Sequence, residues 1–377
     1  MPSKKNALSF SSRLNLALYR LTIGTAAVFR PPRPTLPALK AGSRVLVFSS
    51  AGLGDSLLDS VGFRALAETF PGLHIGAVAH HRRPDILRHN PFVSELFLLR
   101  KGPPAFLRLW RELRGGGPWD AILYLSCLDP EARCLGYLLG RDATFGLAWR
   151  TGMPQTCAFS IDEPGLRRAH LSSQALAVAA ALGARTDYPR MVYEVHEADR
   201  VALDGRLREW GLPSPGITFQ LGGGGAAYRD WPAAHFVELA RLLAAAGIGP
   251  IFLLGGPDHV AKSREVESAL PAGSVFNVTG RLPLPLSAAL LERSRCLVST
   301  DTGIMHMGFA VGTPTVALLH CRPGPARVGP LADTDRHELV ALEKPPGYRD
   351  PSDARMSEIP PGRVFEAVRR LWQKEGA

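Results

Sequence analysis

Cys296-Leu297-Val298-Ser299-Thr300-Asp301-Thr302-Gly303-Ile304-Met305-His306 is the stretch on which the reading of this chain turns. Cys296 to Ser299 is a continuous apolar and small-residue run, the pattern of a strand buried on both faces. Met305 to Val311 reads as the start of a helix. The Asp-Thr-Gly-x-x-His set therefore falls at a strand-to-helix turn on the carboxyl edge of a sheet, where open α/β folds bind ligands. A helix N-terminus there offers free N–H groups and a positive dipole end to an anion such as a diphosphate. Asp301 can accept from hydroxyls, Gly303 admits close approach to the backbone, and His306 can donate to a phosphate. The same residues also fit a helix cap, a turn glycine and a helix-surface histidine.

Outward from this turn the chain alternates strands and helices. Arg44 to Ser49, His74 to Ala79, Glu95 to Leu99 and Asp120 to Leu125 read as strands of a first half. A helix after Gly54 ends at Pro71-Gly72. After the charged segment Glu194 to Trp210 and the Pro213-Ser214-Pro215 break, a second half begins. Its strands are Ile217 to Leu221, Pro250 to Leu254, Val275 to Val278, Cys296 to Ser299 and Thr315 to Leu319, with helices from Phe236 to Ala246 and Gly362 to Lys374. Such alternation predicts two mostly parallel sheets covered on both faces. The expected divisions are a tail at 1–40, domains at 41–200 and 201–345, and a C-terminal tail or helix at 346–377. A cleft between two such domains is the default ligand site.

Three glycine turns compete for the chemistry. Gly52-Leu53-Gly54-Asp55 follows the first strand but matches neither a Walker A sequence nor a full G-x-G-x-x-G. Gly222 to Gly225 precedes Tyr228-Arg229-Asp230-Trp231-Pro232, which sets a cation beside a phosphate-sized nest of N–H groups. Gly255-Gly256-Pro257-Asp258 is a turn whose Asp258 can hydrogen-bond a ribose or merely close the turn.

Composition sets the boundaries. The 377 residues, 46% hydrophobic and 21% charged, suit a globular chain with two ordinary cores. The five cysteines, Cys127, Cys134, Cys157, Cys296 and Cys321, form no CxxC pair. They argue for a reducing compartment and against a structural zinc or disulfide framework. The formal net charge of +10 is concentrated at the start, where no acidic residue precedes Asp55 while Lys4, Lys5, Arg13, Arg20, Arg30, Arg33, Lys40 and Arg44 are basic. Phe10, Leu14, Leu18 and Leu21 repeat there at helical spacing. Residues 1–30 thus read as a basic amphipathic helix for an anionic membrane surface. The alternative is a helix packed on its own domain or on a partner. Neither a transmembrane span nor a cleaved signal fits, and no aromatic-basic interleaving supports a nucleic-acid partner.

Taken together, these pieces resemble glycosyltransferase family 9, the ADP-heptose:lipopolysaccharide heptosyltransferases. The resemblance runs from Arg44 to Asp55 through Phe63-Arg64-Ala65-Leu66, Phe70-Pro71 and Asn90-Pro91. It resumes at Trp231-Pro232, Leu254 to Pro257, Asp301 to His306, Gly312-Thr313-Pro314 and Gly329-Pro330. It implies a GT-B fold, two Rossmann-like domains facing a central cleft. It also implies an inverting transfer, with no metal and no cofactor, of a sugar from a nucleotide diphosphate to a lipid-linked or envelope glycan hydroxyl. Heptose from ADP-heptose is the expected donor. Asp55 is then the general base, with Gly54 on the acceptor side. Gly224, Gly225, Arg229, Asp258, Asp301, Thr302, Gly303 and His306 form the donor set.

Arg229 falls where the family usually has a lysine, and Asp230 where a basic residue is usual, close enough either to offset part of the Arg229 field or to help select a different sugar. The expected location is cytoplasmic, peripheral on the inner face of the cytoplasmic membrane. A nucleotide-sugar-binding envelope-assembly protein with lost or altered catalysis is the second function class.

Overall fold

The structure, a computed structural model, describes residues 17–127, 129–150 and 156–374. Phe10, Leu14 and the cations Lys4, Lys5 and Arg13 of the basic stripe lie outside them. The chain divides into two compact units, Met1–Pro189 and Arg190–Ala377.

In the first unit, β1 (Arg44–Ser49), β2 (His74–His80), β3 (Glu95–Leu99), β4 (Ala121–Tyr124), β5 (Thr144–Leu147) and β6 (Phe159–Ile161) form one sheet. Its order is β3-β2-β1-β4-β5-β6, and every pair is parallel. The residues of β1 after Arg44 and all of β4 are buried, as a sheet covered on both faces requires. The α-helices of five or more residues are α1 (Thr25–Phe29), α2 (Leu53–Thr69), α3 (Pro103–Gly115), α4 (Pro130–Gly140) and α5 (Leu171–Ala180). Phe48, Tyr124, Trp119 and Leu113 anchor one of the cores. A π-helical turn, Arg20–Gly24, leads into α1.

The second unit repeats the plan. β7 (Ile217–Gln220), β8 (Ile251–Leu254), β9 (Val275–Asn277), β10 (Cys296–Thr300), β11 (Thr315–Leu319) and β12 (His337–Ala341) make a sheet of order β12-β11-β10-β7-β8-β9. All its pairs are parallel too. Its α-helices of five or more residues are α6 (Glu197–Glu209), α7 (Ala233–Ala245), α8 (Val260–Ser268), α9 (Leu284–Arg293), α10 (Gly303–Val311) and α11 (Pro361–Lys374). The charged segment from Glu194 contains α6. Its charges pair across to α9: Arg200 grips Glu292 through two bonds of 2.7 and 2.8 Å, and Arg293 grips Asp204. α11 buries Val364, Val368 and Leu371 in the same core as Phe219, Trp231 and Phe236. Among the described residues no helix is long and apolar enough to cross a membrane.

In both sheets the winding direction reverses beside the first strand, between β1 and β4 and between β7 and β10. The connections leaving those strands diverge, opening a crevice at the carboxyl edge. In the first unit the floor of that crevice is pinned by Asp59 of α2. Its carboxylate accepts from Ser49 Oγ at 2.6 Å, from Ser126 N at 2.9 Å and from Ser126 Oγ at 2.9 Å. One side chain thereby ties the end of β1, the end of β4 and α2 together.

Two consequences are measurable. A Cβ at Gly136 of α4 would lie 1.8 Å from Tyr124 Oη, and Tyr124 is fully buried. Gly136→Ala should therefore cost about 1–3 kcal/mol in denaturant unfolding. Burial pushes the Asp59 carboxyl up from 3.8 to about 6, against the pull of its serine bonds. Between those values the folded chain keeps a proton that the unfolded chain has lost. This contribution is therefore present at low pH and lost as pH rises through about 6, by at most about 3 kcal/mol. The melting temperature of wild type should fall relative to Asp59→Asn between about pH 4 and 6 and then run parallel to it. A difference that stays constant over that range would reject the raised carboxyl.

Candidate functional site

In the second unit, the two connections flanking the β7/β10 reversal carry the residues singled out from sequence. The chain leaves β7 through Gly222 to Gly225, with Gly224 and Gly225 at φ of 62° and 81°. These left-handed conformations suit glycine and turn the backbone sharply. A Cβ at Gly224 would sit 3.4 Å from Asp301 O and from a methyl of Thr302, so this loop rests on the turn that follows β10. Thr300 Oγ1 donates to Gly222 O and joins the two connections from below.

Arg229 completes the join. Its Nη1 donates to Asp301 Oδ2 at 2.8 Å and to Asp301 O at 3.0 Å. The Asp301 carboxylate is 6% exposed, and its other oxygen lies 3.9 Å from His306 Nε2. Thr302 caps α10, its Oγ1 facing Met305 N at 3.5 Å, and Gly303 opens the helix. Thus Gly224, Arg229, Asp301, Thr302, Gly303 and His306 are brought together at the N-terminus of a nine-residue helix. Arg229 Nε is buried with no hydrogen-bond partner among the described residues. The guanidinium is braced on one nitrogen and keeps donors to spare.

Asp230 behaves differently from the expectation that it offsets Arg229. Its carboxylate pairs with Lys262 Nζ at 2.7 Å, and the same ammonium donates to Trp231 O. The carboxylate facing Arg229 is Asp301. Trp231 is fully buried and donates from Nε1 to Ile359 O at 3.0 Å, fastening this loop to the segment before α11.

Asp258 lies in the turn after β8 with its side chain 75% exposed. Its neighbour His259 was not singled out from the sequence, yet it packs hardest against the glycine loop. A Cβ at Gly222 would fall 1.9 Å from His259 Nε2, so only glycine leaves room for the ring. His259 Nδ1 accepts from Gly256 N at 3.2 Å, which leaves the proton on Nε2, 3.5 Å from Asp258 Oδ2. The sequence signal was its position at the carboxyl end of β8. Tyr228 stands edge-on to the buried His320 ring at 5.0 Å.

In the first unit, Gly52 to Asp55 forms the entry to α2, and Asp55 Oδ2 accepts from Gly52 N at 2.9 Å. Locally, then, Asp55 does act as a helix-terminus residue, at the end where an anionic side chain is favoured. Gly54 sits in the first turn beside it. Around this turn the strand ends gather groups that sequence reading passed over. Ser50 Oγ donates to Asp129 Oδ2 at 2.7 Å, and Lys101 Nζ lies 3.6 Å from the other Asp129 oxygen. Arg83 overhangs Gly52, its Nη1 3.8 Å from where a Cβ would be. His80 and His81 stack at 4.6 Å. Burial first, then the neighbouring His81, hold His80 below the usual histidine range. Each of these groups follows or ends a strand, which is the signal that marks them.

The family model described as glycosyltransferase family 9 (heptosyltransferase) matches residues 106–354. Lipopolysaccharide heptosyltransferase 2 of Salmonella typhimurium is 27% identical over 367 residues, 88% of this chain and 99% of that protein. Lipopolysaccharide heptosyltransferase 1 of Escherichia coli is 20% identical over 320 residues, 79% of this chain and 92% of that one. Among solved structures, a glycosyl transferase family 9 protein of Veillonella parvula superposes with a TM-score of 0.75. It is 21% identical, with 90% of this chain and 100% of that chain covered. The E. coli ADP-heptose LPS heptosyltransferase II gives 0.74 at 22% identity, covering 89% and 100%. The fold is the two-domain α/β arrangement, GT-B, of those structures, and the chain is a glycosyltransferase belonging to family 9, the heptosyltransferases.

Proposed function

We propose that this protein moves a heptose from ADP-heptose to a hydroxyl of a lipid-linked or envelope glycan, inverting the anomeric carbon without a metal or cofactor. The observation that carries the donor half is the Arg229 guanidinium, anchored through Nη1 to Asp301, on whose turn the Gly224 loop rests just before the α10 N-terminus. A diphosphate is the anion this suits. The glycine loop, the α10 N-terminus and the Arg229 guanidinium meet at Asp301, and preorganised donors of this kind stabilise charge as it develops on a leaving group. Asp258 suits a ribose hydroxyl, and His306 a phosphate oxygen or a sugar hydroxyl next to Asp301.

Asp55 is the proposed base. Its Oδ2 is held by Gly52 N, so the carboxylate is fixed in orientation while Oδ1 stays available. The acceptor oxygen forms a bond to the anomeric carbon as its proton passes to Asp55. The carbon–oxygen bond to the diphosphate breaks, and its electron pair leaves with the nucleotide. With attack and departure on opposite faces, the centre inverts. Arg83 and Lys101 near the first-unit crevice suit an acceptor that itself carries anionic groups. The names of the relatives support the ADP-heptose and lipopolysaccharide assignments.

Asp55→Asn should lower turnover about 10²- to 10⁴-fold, the range of general-base catalysis, with ADP binding unchanged. Activity at the wild-type level in that variant would remove Asp55 from the role. In a thermal-shift comparison ADP should raise the melting temperature more than GDP or UDP, since a preferred ligand stabilises by mass action. Arg229→Ala should abolish the ADP shift. Equal shifts from all three nucleotides would reject the adenine preference.

A further inference from the structure

The N-terminal helix has two unlike faces. From residue 17 to Phe29 the backbone is helical, through the π turn and α1. One face is bound to the first unit. Tyr19 is 5% exposed, its ring 5.3 Å from Phe106 of α3, and it packs with Cys134 of α4. Ala27 is fully buried. Tyr137 Oη of α4 donates to Arg30 O at 2.8 Å and to Ala26 O at 3.3 Å. Beyond the helix, Arg33 N and Thr35 N donate to Asp142 Oδ1 and Asp142 O, both at 2.8 Å. The helix is thus docked, as one of the two sequence readings held.

The other face is apolar and bare. Leu21 is 74%, Val28 63% and Phe29 80% exposed, with Leu18 at 44%. Leu107 of α3 and Leu138 of α4, adjacent in sequence to the Phe106 and Tyr137 contacts, are also exposed. Their surroundings are basic. Arg30 and Arg33 follow the helix, and Arg108, Arg111 and Arg114 are exposed on α3, where Glu112 is the one acid. No acidic residue precedes Asp55 in the chain.

We propose that this face docks on an anionic lipid bilayer, with Leu21, Val28 and Phe29 entering the headgroup boundary and the arginines meeting lipid phosphates. Contiguous exposed apolar side chains rimmed by cations are the physical signature of a helix lying in a membrane interface. The charge distribution selects this occupant over a second copy of the chain. A self-complementary contact through this face would bring cation against cation, whereas an anionic surface is attracted to all of them. The packing through Tyr19 and Tyr137 presents the apolar stripe already formed, so docking does not first have to fold the helix.

The inference needs none of the proposed transfer chemistry, and its test is independent. The full chain is sedimented with phosphatidylcholine vesicles with and without phosphatidylglycerol. Binding should require phosphatidylglycerol and weaken with salt, as screened charge does. The double variant Leu21→Asp/Phe29→Asp and the double variant Arg108→Glu/Arg111→Glu should each bind at least about tenfold more weakly. Both should keep the wild-type melting temperature, because the altered side chains are exposed, and wild-type turnover on a water-soluble acceptor. Binding that ignores phosphatidylglycerol, or survives both variants, would overturn the proposal. So would the absence of vesicle binding together with a concentration-dependent dimer that Leu21→Asp/Phe29→Asp dissolves. Loss of turnover in Asp55→Asn with vesicle binding intact would separate the two proposals.

Discussion

Everything functional in this molecule follows from one constraint on parallel sheets. Strands wound outward from a first strand in both directions leave a gap at their carboxyl ends, because successive right-handed crossovers on either side depart to opposite faces. The gap cannot be filled by the sheet itself, so loops and helix N-termini line it. Here the constraint acts twice, at β1/β4 and at β7/β10, and each time glycine turns and short polar side chains occupy the rim. The cores beneath need only be apolar and dense. The rims carry Asp55, Asp129 and Lys101 in one unit and Arg229, Asp301 and His306 in the other.

The two rims use charge differently. In the second unit a cation is braced by a nearly buried carboxylate, so the geometry of the anion-binding group is set before any ligand arrives. Such preorganisation lowers the reorganisation needed when charge develops. In the first unit the network beneath the rim is built on Asp59, whose carboxyl is pushed up by burial while the serines hold it in place. The group that ties the ends of β1 and β4 to α2 thus has its proton held on by burial.

Much of the fold was legible because fully covered strands are continuous apolar runs. Arg44 to Ser49, Cys296 to Thr300 and Thr315 to Leu319 stand out on that ground alone. β5, β6 and β12 do not. Thr144–Leu147 is four residues with a glycine inside, Phe159–Ile161 is three, and His337–Ala341 is an edge strand with Glu338 in it. Strands that short carry too few side chains to set a period. The glycine loops and the Asp301 turn were readable because each follows a legible strand and precedes a helix. The pairings that give them chemistry were not. Arg229 meets Asp301 across 72 positions and Asp230 meets Lys262 across 32, so which acid neutralises which base is decided by tertiary proximity. His259 was hidden for the opposite reason. Its contact is with the absence of a side chain at Gly222.

The way Arg229 is anchored bears on how this position can change over time. A lysine's three donors radiate from a single nitrogen, so a bond to Asp301 and a bond to a ligand would be made from the same point. An arginine divides the two duties, with Nη1 turned inward and Nε left over. An arginine here therefore tolerates a carboxylate at 301 close enough to take one of its nitrogens. A lysine at 229 would keep the charge and the reach to Asp301 but lose the planar fork that fixes the direction of the remaining donors.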